Sequence, residues 1–296
     1  MRPILVIGAG GQLGRELMMR REAVPEPVLG FAHAALDIRD RDGVQRTIRD
    51  TAPALVINAA AYTQVDKAER ECQAAFAANR DGPINLATVC AEAGIPLLHV
   101  STDYVFDGSK EGRYVESDPA APLSVYGASK LAGEDAVRER LERHVILRTA
   151  WVHSAHGANF VKTIARLAGE RPVLDVVDDQ RGGPTPAGSI AQALLAVANA
   201  IRAGRAPWGT YHFCGAPATS WCGFARAIVD AAGPYLGRRA VVRPIATADH
   251  PLPAKRPLNS VLDCGKIAAT FGIASPDWRV SLPAILADIL GKESVP

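Results

Sequence analysis

The apolar run Ile4–Ile7 leads straight into Gly8-Ala9-Gly10-Gly11-Gln12-Leu13-Gly14, and a helical pattern begins at Gln12. A strand that ends in a glycine turn and hands over to a helix N-terminus aims backbone N–H groups and the positive end of the helix dipole at one point. That arrangement suits a pyrophosphate. In this order Gly8 permits the tight turn, Gly11 lets the backbone approach a phosphate, and Gly14 allows the helix to pack closely on the sheet. The spacing is G-x-x-G-x-x-G, with Leu13 standing where G-x-G-x-x-G would place its third glycine.

Further apolar runs of strand length follow at residues 28–32, 55–58, 97–102, 145–148 and 173–177. Their apolarity is continuous rather than alternating, as strands covered on both faces require, and it predicts a parallel sheet. Residues 12–23, 43–51, 64–92 and 125–142 lie between them and carry mixed charge with apolar side chains at helical spacing. Gly94 fits a left-handed helix cap, and Pro96 stands where a helix cannot continue. The expected fold is α/β, a doubly wound parallel sheet of Rossmann type with a smaller α/β C-terminal lobe. After Trp151 the rhythm loosens through Pro172, Gly182, Gly183, Pro184 and Pro186 before a helix at 189–202 and one more strand at 209–215. Residues 1–150, with 185–215 packing back onto them, are expected to form a dinucleotide-binding lobe. Residues 151–184 and 216–296, with short helices near 220–232 and 282–290, are expected to form a substrate lobe.

Composition narrows the partners. Lys and Arg number 33 against 31 Asp and Glu, a net charge of +2, too little to draw the chain to nucleic acid or an acidic membrane. The five cysteines, Cys72, Cys90, Cys214, Cys222 and Cys264, never form a C-x-x-C pair. They suit neither a disulfide framework nor a zinc knuckle and point to a reducing compartment. Ile4–Ile7 is too short for a signal segment or a membrane span, so a cytoplasmic location is expected. His153 and His156 have no acidic or thiol partner at a ligand spacing and read as loop residues rather than metal ligands. Asp178 and Asp179 are neighbours that a strand would point to opposite faces, which argues against a carboxylate dyad.

The second run ends in Phe31-Ala32-His33, without the carboxylate that normally holds the ribose 2′-hydroxyl of NAD. Nothing there repels a 2′-phosphate, and His33 or Arg39 could attract one, which favours NADPH and leaves NADH usable. Asp37 and Ile38 are placed to reach an adenine. Tyr126-Gly127-Ala128-Ser129-Lys130 sets a phenol and an ammonium four residues apart on one helix face. The cation is expected to lower the phenol pKa from about 10 toward neutrality. Ser124 is expected to cap the helix, so that its dipole favours phenolate too. Alone the pair is a weak signal; its placement after a strand that ends in Ser101-Thr102-Asp103 gives it weight. Thr102, Tyr126 and Lys130 are expected to converge near a nicotinamide as hydrogen-bond donor, proton donor and electrostatic tuner.

Gly8, Gly11 and Gly14, the run 58–63, Asn79 with Gly82, Thr102, and Tyr126 with Lys130 together resemble the extended short-chain dehydrogenase/reductase family. Stretches 101–108, 116–134, 148–152, 179–187 and 254–263 carry the likeness through the rest of the chain, toward members that act on dTDP-sugars. The resemblance implies reduction of the C4 ketone of a dTDP-linked 6-deoxy sugar, with hydride from the nicotinamide and a proton from Tyr126. Lys130 would also hold the nicotinamide ribose, and Thr102 would polarise the carbonyl. It implies that Gly11, Gln12, Leu13, Asp37, Ile38, Ala60, Ala61 and Tyr62 line the cofactor and that Asp103, Tyr104 and Trp151 touch the sugar. Without the resemblance Trp151 reads as a core aromatic. Arg181 and Arg256 suit the substrate diphosphate, because a planar guanidinium matches phosphate oxygens. Some members hold magnesium at a dimer interface through an acidic cluster; Glu16 is the one residue here that matches, which leaves magnesium without a clear ligand set and a homodimer open. Two alternatives remain: an epimerase or dehydratase that regenerates NAD in place, and a non-catalytic NADP-binding regulatory subunit. Retention of both Tyr126 and Lys130 weighs against the latter.

Overall fold

Six strands assemble the main sheet of the computed structural model, which describes residues 1–205 and 207–291. They are β1 (Ile4–Ile7), β2 (Val28–Phe31), β3 (Leu55–Asn58), β4 (Leu97–Thr102), β5 (His144–Thr149) and β6 (Gly209–His212). All neighbours pair parallel, in the order β6-β5-β4-β3-β1-β2. Every residue of β1, β3 and β5 is buried, so the unbroken apolarity of these runs has its cause in helices on both faces.

Alternate side chains feed the two faces. Ile4, Val6, Leu55, Ile57, Leu98 and Leu147 join one core with helices α1 (Gln12–Met19) and, later in the chain, Ala187–Arg202. Leu5, Ile7, Val56, Leu97 and Ile146 join another with α2 (Arg41–Thr51), α3 (Gly82–Ala93) and α4 (Val125–Arg140). The chain leaves β1 for β2 on one side and returns to β3 on the other. This reversal opens a crevice at the carboxyl ends of β1 and β3, the place where open α/β sheets take their ligands.

Gly94 ends α3 with φ +64°, and the Ser124 hydroxyl caps α4 by accepting from Gly127 N at 3.1 Å, as the sequence predicts. Two expectations are corrected. Residues 64–92 are not one helical stretch: they break into Val65–Ala68, Cys72–Phe76, a π turn at Ala77–Asp81, and α3. The break turns Asn79 inward, where its amide meets the loop after β3 and α4, and Pro83 then starts a fresh helix.

Val173–Val177 is a strand, but it pairs in parallel with Val241–Ile245 outside the main sheet, and the sixth place goes to β6. Its apolar pattern is interrupted by Asp175, whose carboxylate meets Arg243 on the exposed face, so only one face of the run is buried. The buried face joins a third apolar cluster with α5 (Phe160–Glu170), α7 (Trp221–Leu236) and α8 (Trp278–Leu290), α6 being Ala187–Arg202. Of the two expected lobes, residues 206 and 292–296 lie outside those described.

Candidate active site

Gly8 adopts φ +85°, and a Cβ there would stand 2.6 Å from Ala60 N and 2.7 Å from Ala59 C. Both the turn and the close approach of the loop after β3 therefore demand glycine. A Cβ at Gly14 would stand 2.1 Å from Gly8 O, so this glycine lets α1 begin directly against the turn. Gly11 caps α1, gives its N–H to Gly8 O at 3.0 Å and is exposed, so the backbone there is open to approach. The Leu13 side chain lies in the core, which leaves only its backbone for a ligand. Gln12 Oε1 accepts from Ser154 Oγ at 3.0 Å and Asn159 Nδ2 at 2.9 Å, tying the first turn of α1 to the loop after Trp151.

Beside the crevice, Arg39 forks onto Asp37 at 2.6–2.9 Å and holds its carboxyl below the usual range. Ile38 is buried against Gly82, and His33 is exposed. The loop carrying Ala60, Ala61 and Tyr62 is fixed by side-chain amides. Ala60 N donates to Asn58 Oδ1 at 3.1 Å and Tyr62 N to Asn79 Oδ1 at 2.8 Å. Asn79 Nδ2 donates in turn to Tyr62 O and to Ser129 Oγ, both at 3.0 Å, so one buried amide clamps this loop to α4.

Lys130 is 2% exposed and its Nζ donates to Val100 O at 2.7 Å. Burial pushes its pKa down to about 8, while the Glu134 carboxylate works to raise it. Burial likewise pushes the Tyr126 phenol up to about 12; its contact with the Thr102 hydroxyl opposes the rise and the charge of Asp103 adds to it. The expected lowering of Tyr126 by Lys130 is thus not what this structure displays. In a low-dielectric recess both groups are driven toward their neutral forms, and the opposing contact comes from Thr102. Thr102 Oγ1 donates to Asp103 Oδ1 at 3.0 Å and accepts from Tyr104 N at 3.2 Å. Burial lifts the Asp103 carboxyl to about 7 against the hydrogen bonds of Ser260 and Thr102, and its buried Oδ2 has no partner among the described residues. The Tyr104 ring meets Tyr126 edge-on at 5.9 Å.

Thr102, Asp103, Tyr104, Tyr126 and Lys130 therefore gather at the carboxyl end of β4. Arg256 approaches Tyr104 from the later chain, but its guanidinium is also forked onto Asp66 at 3.0 and 2.7 Å. Arg181 is exposed, and its backbone bonds Leu258 O and Ser260 N. Trp151, half-buried, stacks on Trp221. Among the described residues no group of three or more His, Cys, Asp or Glu is placed to hold a metal, and Glu16 is paired with Arg20. No described helix is long and apolar enough to cross a membrane.

Sequence reasoning missed the buried pair under this site. Glu134, one helical turn beyond Lys130, accepts from Arg148 Nε at 2.9 Å and from its terminal nitrogen at 2.7 Å. An arginine inside an otherwise apolar strand, with a glutamate on the lysine's own helix face, was the signal.

The RmlD substrate binding domain family matches residues 1–290. A dTDP-4-dehydrorhamnose reductase from Sinorhizobium fredii is 42% identical over 98% of this chain and 99% of its own. One from Aggregatibacter actinomycetemcomitans is 45% identical over 97% of this chain and 99% of its own. The crystal structure of the Bacillus anthracis dTDP-4-dehydrorhamnose reductase in complex with NADP is similar with a TM-score of 0.88 at 33% identity, covering 97% of this chain and 99% of that chain.

Proposed function

The chain belongs to the RmlD substrate binding domain family, and from this we propose that it reduces the C4 ketone of dTDP-4-dehydrorhamnose with NADPH, giving dTDP-L-rhamnose. It is an NAD(P)H-dependent oxidoreductase of nucleotide-sugar synthesis. The observation that carries the mechanism is the gathering of Thr102, Tyr126 and Lys130 at the end of β4, beside the crevice that the glycine loop opens.

The glycine loop and α1 fit a dinucleotide: Gly8 and Gly14 leave no room for a Cβ, and Gly11 is open. Gly8, Gly11, Gly14 and the backbone of Gln12 and Leu13 would cradle the diphosphate, with Asp37 and Ile38 at the adenine and Ala60, Ala61 and Tyr62 along the opposite wall. When bound, the nicotinamide supplies a hydride at its C4. NADPH is preferred because no carboxylate guards the end of β2.

On the protein's side, Thr102 donates to the C4 carbonyl oxygen and Tyr126 gives that oxygen its phenolic proton as negative charge develops. Burial keeps the phenol protonated and ready to donate. Lys130, oriented by Val100 O, supplies the positive charge that stabilises the phenolate left behind, and holds the nicotinamide ribose. Asp103, Tyr104 and Trp151 hold the sugar. Arg181, with no ion-pair partner among the described residues, and Arg256 meet the diphosphate. The cofactor lobe is residues 1–150 with 185–215, and the cluster around α5, α7 and α8 is the core of the substrate lobe. Five free thiols support a reducing, cytoplasmic setting.

Incubating the protein with dTDP-4-dehydrorhamnose and NADPH tests the reading. One NADPH oxidised per dTDP-L-rhamnose formed is expected; conversion of the sugar without net oxidation would identify an epimerase or dehydratase instead.

A further inference from the structure

Asp66 stands on the short helical turn Val65–Ala68, just after the loop that carries Ala60, Ala61 and Tyr62. That turn has a firm base: Glu69 Oε1 accepts from Val125 N at 2.9 Å, which ties it to the start of α4. From this base the Asp66 carboxylate holds a segment from the far end of the chain. Its Oδ1 accepts from Ala254 N at 3.2 Å and from Arg256 Nη1 at 3.0 Å, and its Oδ2 from Arg256 Nη2 at 2.7 Å. The Arg256 side chain is 16% exposed, and the fork is bidentate, the geometry in which an ion pair near a surface does hold.

A guanidinium carries five N–H groups and can only donate. Nη1 gives one to Asp66 and its other to Ala254 O at 3.0 Å, and Nη2 gives one to Asp66. The two that are left, on Nε and Nη2, lie side by side along one edge, which leaves that edge for the Tyr104 phenol that the same guanidinium hydrogen-bonds. The Tyr104 oxygen is therefore an acceptor, and its own proton must point elsewhere. The strap that carries Arg256 crosses the carboxyl end of β4. It presses on Gly108, where a Cβ would stand 2.7 Å from Leu258 N, and its Ser260 hydroxyl bonds the Asp103 carboxyl.

We propose that Asp66 is a positioning residue for the nucleotide sugar: its carboxylate pins the strap and turns Arg256 so that the remaining guanidinium edge orders the Tyr104 hydroxyl toward the sugar and offers its second N–H to the diphosphate. This rests on the reading of Tyr104 and Arg256 as substrate contacts. An arginine side chain has much rotamer freedom to lose, and one already fixed by an ion pair loses little of it when the substrate arrives. A phenol whose oxygen is occupied by a cation has one use left for its proton, as a donor to a sugar oxygen. The Tyr104 ring stands edge-on to Tyr126, so a sugar oxygen bound there lies beside the proton donor.

The test compares Asp66→Asn, Tyr104→Phe and the double variant, with folding checked by far-ultraviolet circular dichroism. In Asp66→Asn the KM for dTDP-4-dehydrorhamnose should rise about tenfold, as loss of a charge-assisted hydrogen bond allows. The kcat should stay within about threefold, because such contacts bind ground and transition states alike. The NADPH Kd should not move. In the Tyr104→Phe background the same substitution should raise the KM by no more than about threefold, since the hydroxyl that it orders is gone. Should Asp66→Asn fail to fold, Arg256→Lys carries the test with the same two expectations, because it keeps the charge and loses the edge. An unchanged KM would overturn the proposal, as would a tenfold rise that persists without the Tyr104 hydroxyl, or a loss in kcat larger than the rise in KM. Wild-type protein with no turnover of this sugar would strike the functional reading instead. The anchor is then judged by hydrogen exchange: residues 254–260 should lose protection in Asp66→Asn, and equal protection in variant and wild type would overturn it.

Discussion

Tyr126 and Lys130 sit in a recess that disfavours charge on either group, with the phenol pushed up to about 12 and the ammonium down to about 8. A phenol that stays protonated is a proton donor, and a nearby cation is what makes giving up its proton affordable. Tyr126→Phe should therefore lower kcat by about 10²-fold or more, with the NADPH Kd little changed, as fluorescence titration would show. The alkaline limb follows with its sign. The cationic form of Lys130 is present below about 8 and is lost as pH rises through that value. The kcat/KM of the free enzyme should fall above pH about 8; a profile flat to pH 10 would separate Lys130 from the chemistry. Thr102, Tyr126 and Lys130 were legible in the sequence because their spacing and their place after a strand are local facts. The direction of the pKa shifts was not, because desolvation depends on what Val100, Asp103 and Glu134 bring from elsewhere.

The elements are joined by contacts that propensity does not record. Glu134 on α4 and Arg148 on β5 form a buried pair, at 0% and 3% exposure for the side chain and the residue respectively, tying the helix that carries Tyr126 to the sheet. Burial works to raise the Glu134 carboxyl, but the hydrogen bonds and charge of Arg148, joined by the charge of Arg138, which donates to the same Oε2, outweigh it and hold the pKa below the usual range. A lowered carboxylate contributes stability that is present above its unfolded value and lost as pH falls through the folded one. Glu134→Gln would strand the Arg148 cation and should cost about 3–5 kcal/mol in urea unfolding, whereas Glu134→Gln with Arg148→Met should recover most of it. At the other end of the sheet, Gly14→Ala would drive a Cβ into Gly8 O and should cost about 1–3 kcal/mol, with NADPH binding weakened as the turn opens. Strands β1 and β3 were legible to the residue because burial on both faces writes itself as a nearly unbroken apolar run. Residues 64–92 were not: Pro83 is a local signal for a fresh helix, but the turn before it follows from the tertiary demand on Asn79, which a helical pattern does not record.

At the scale of the whole molecule, strand order decides where chemistry can happen. The reversal between β1 and β3 brings residues 8–14 and 59–62, far apart in the chain, to one crevice, and β4 delivers Thr102 beside it. A sequence names strands without ordering them, which is why Val173–Val177 was counted in a sheet whose last place belongs to Gly209–His212. The same crevice sets the cofactor preference. His33 is exposed at the end of β2, and the nearby Asp37 carboxylate is neutralised by Arg39. The kcat/KM with NADPH should therefore equal or exceed that with NADH in parallel assays, and a clear NADH preference would mean that a carboxylate does guard the 2′ position.

Direct hydride delivery to the sugar carbonyl is best tested with NADPH dideuterated at nicotinamide C4 and dTDP-4-dehydrorhamnose, the product being examined by proton NMR. Deuterium should appear at C4 of the rhamnosyl ring and nowhere else, one atom per molecule of NADPH consumed. Product whose C4 carries only hydrogen, or deuterium that returns to the cofactor while the sugar rearranges, would contradict it.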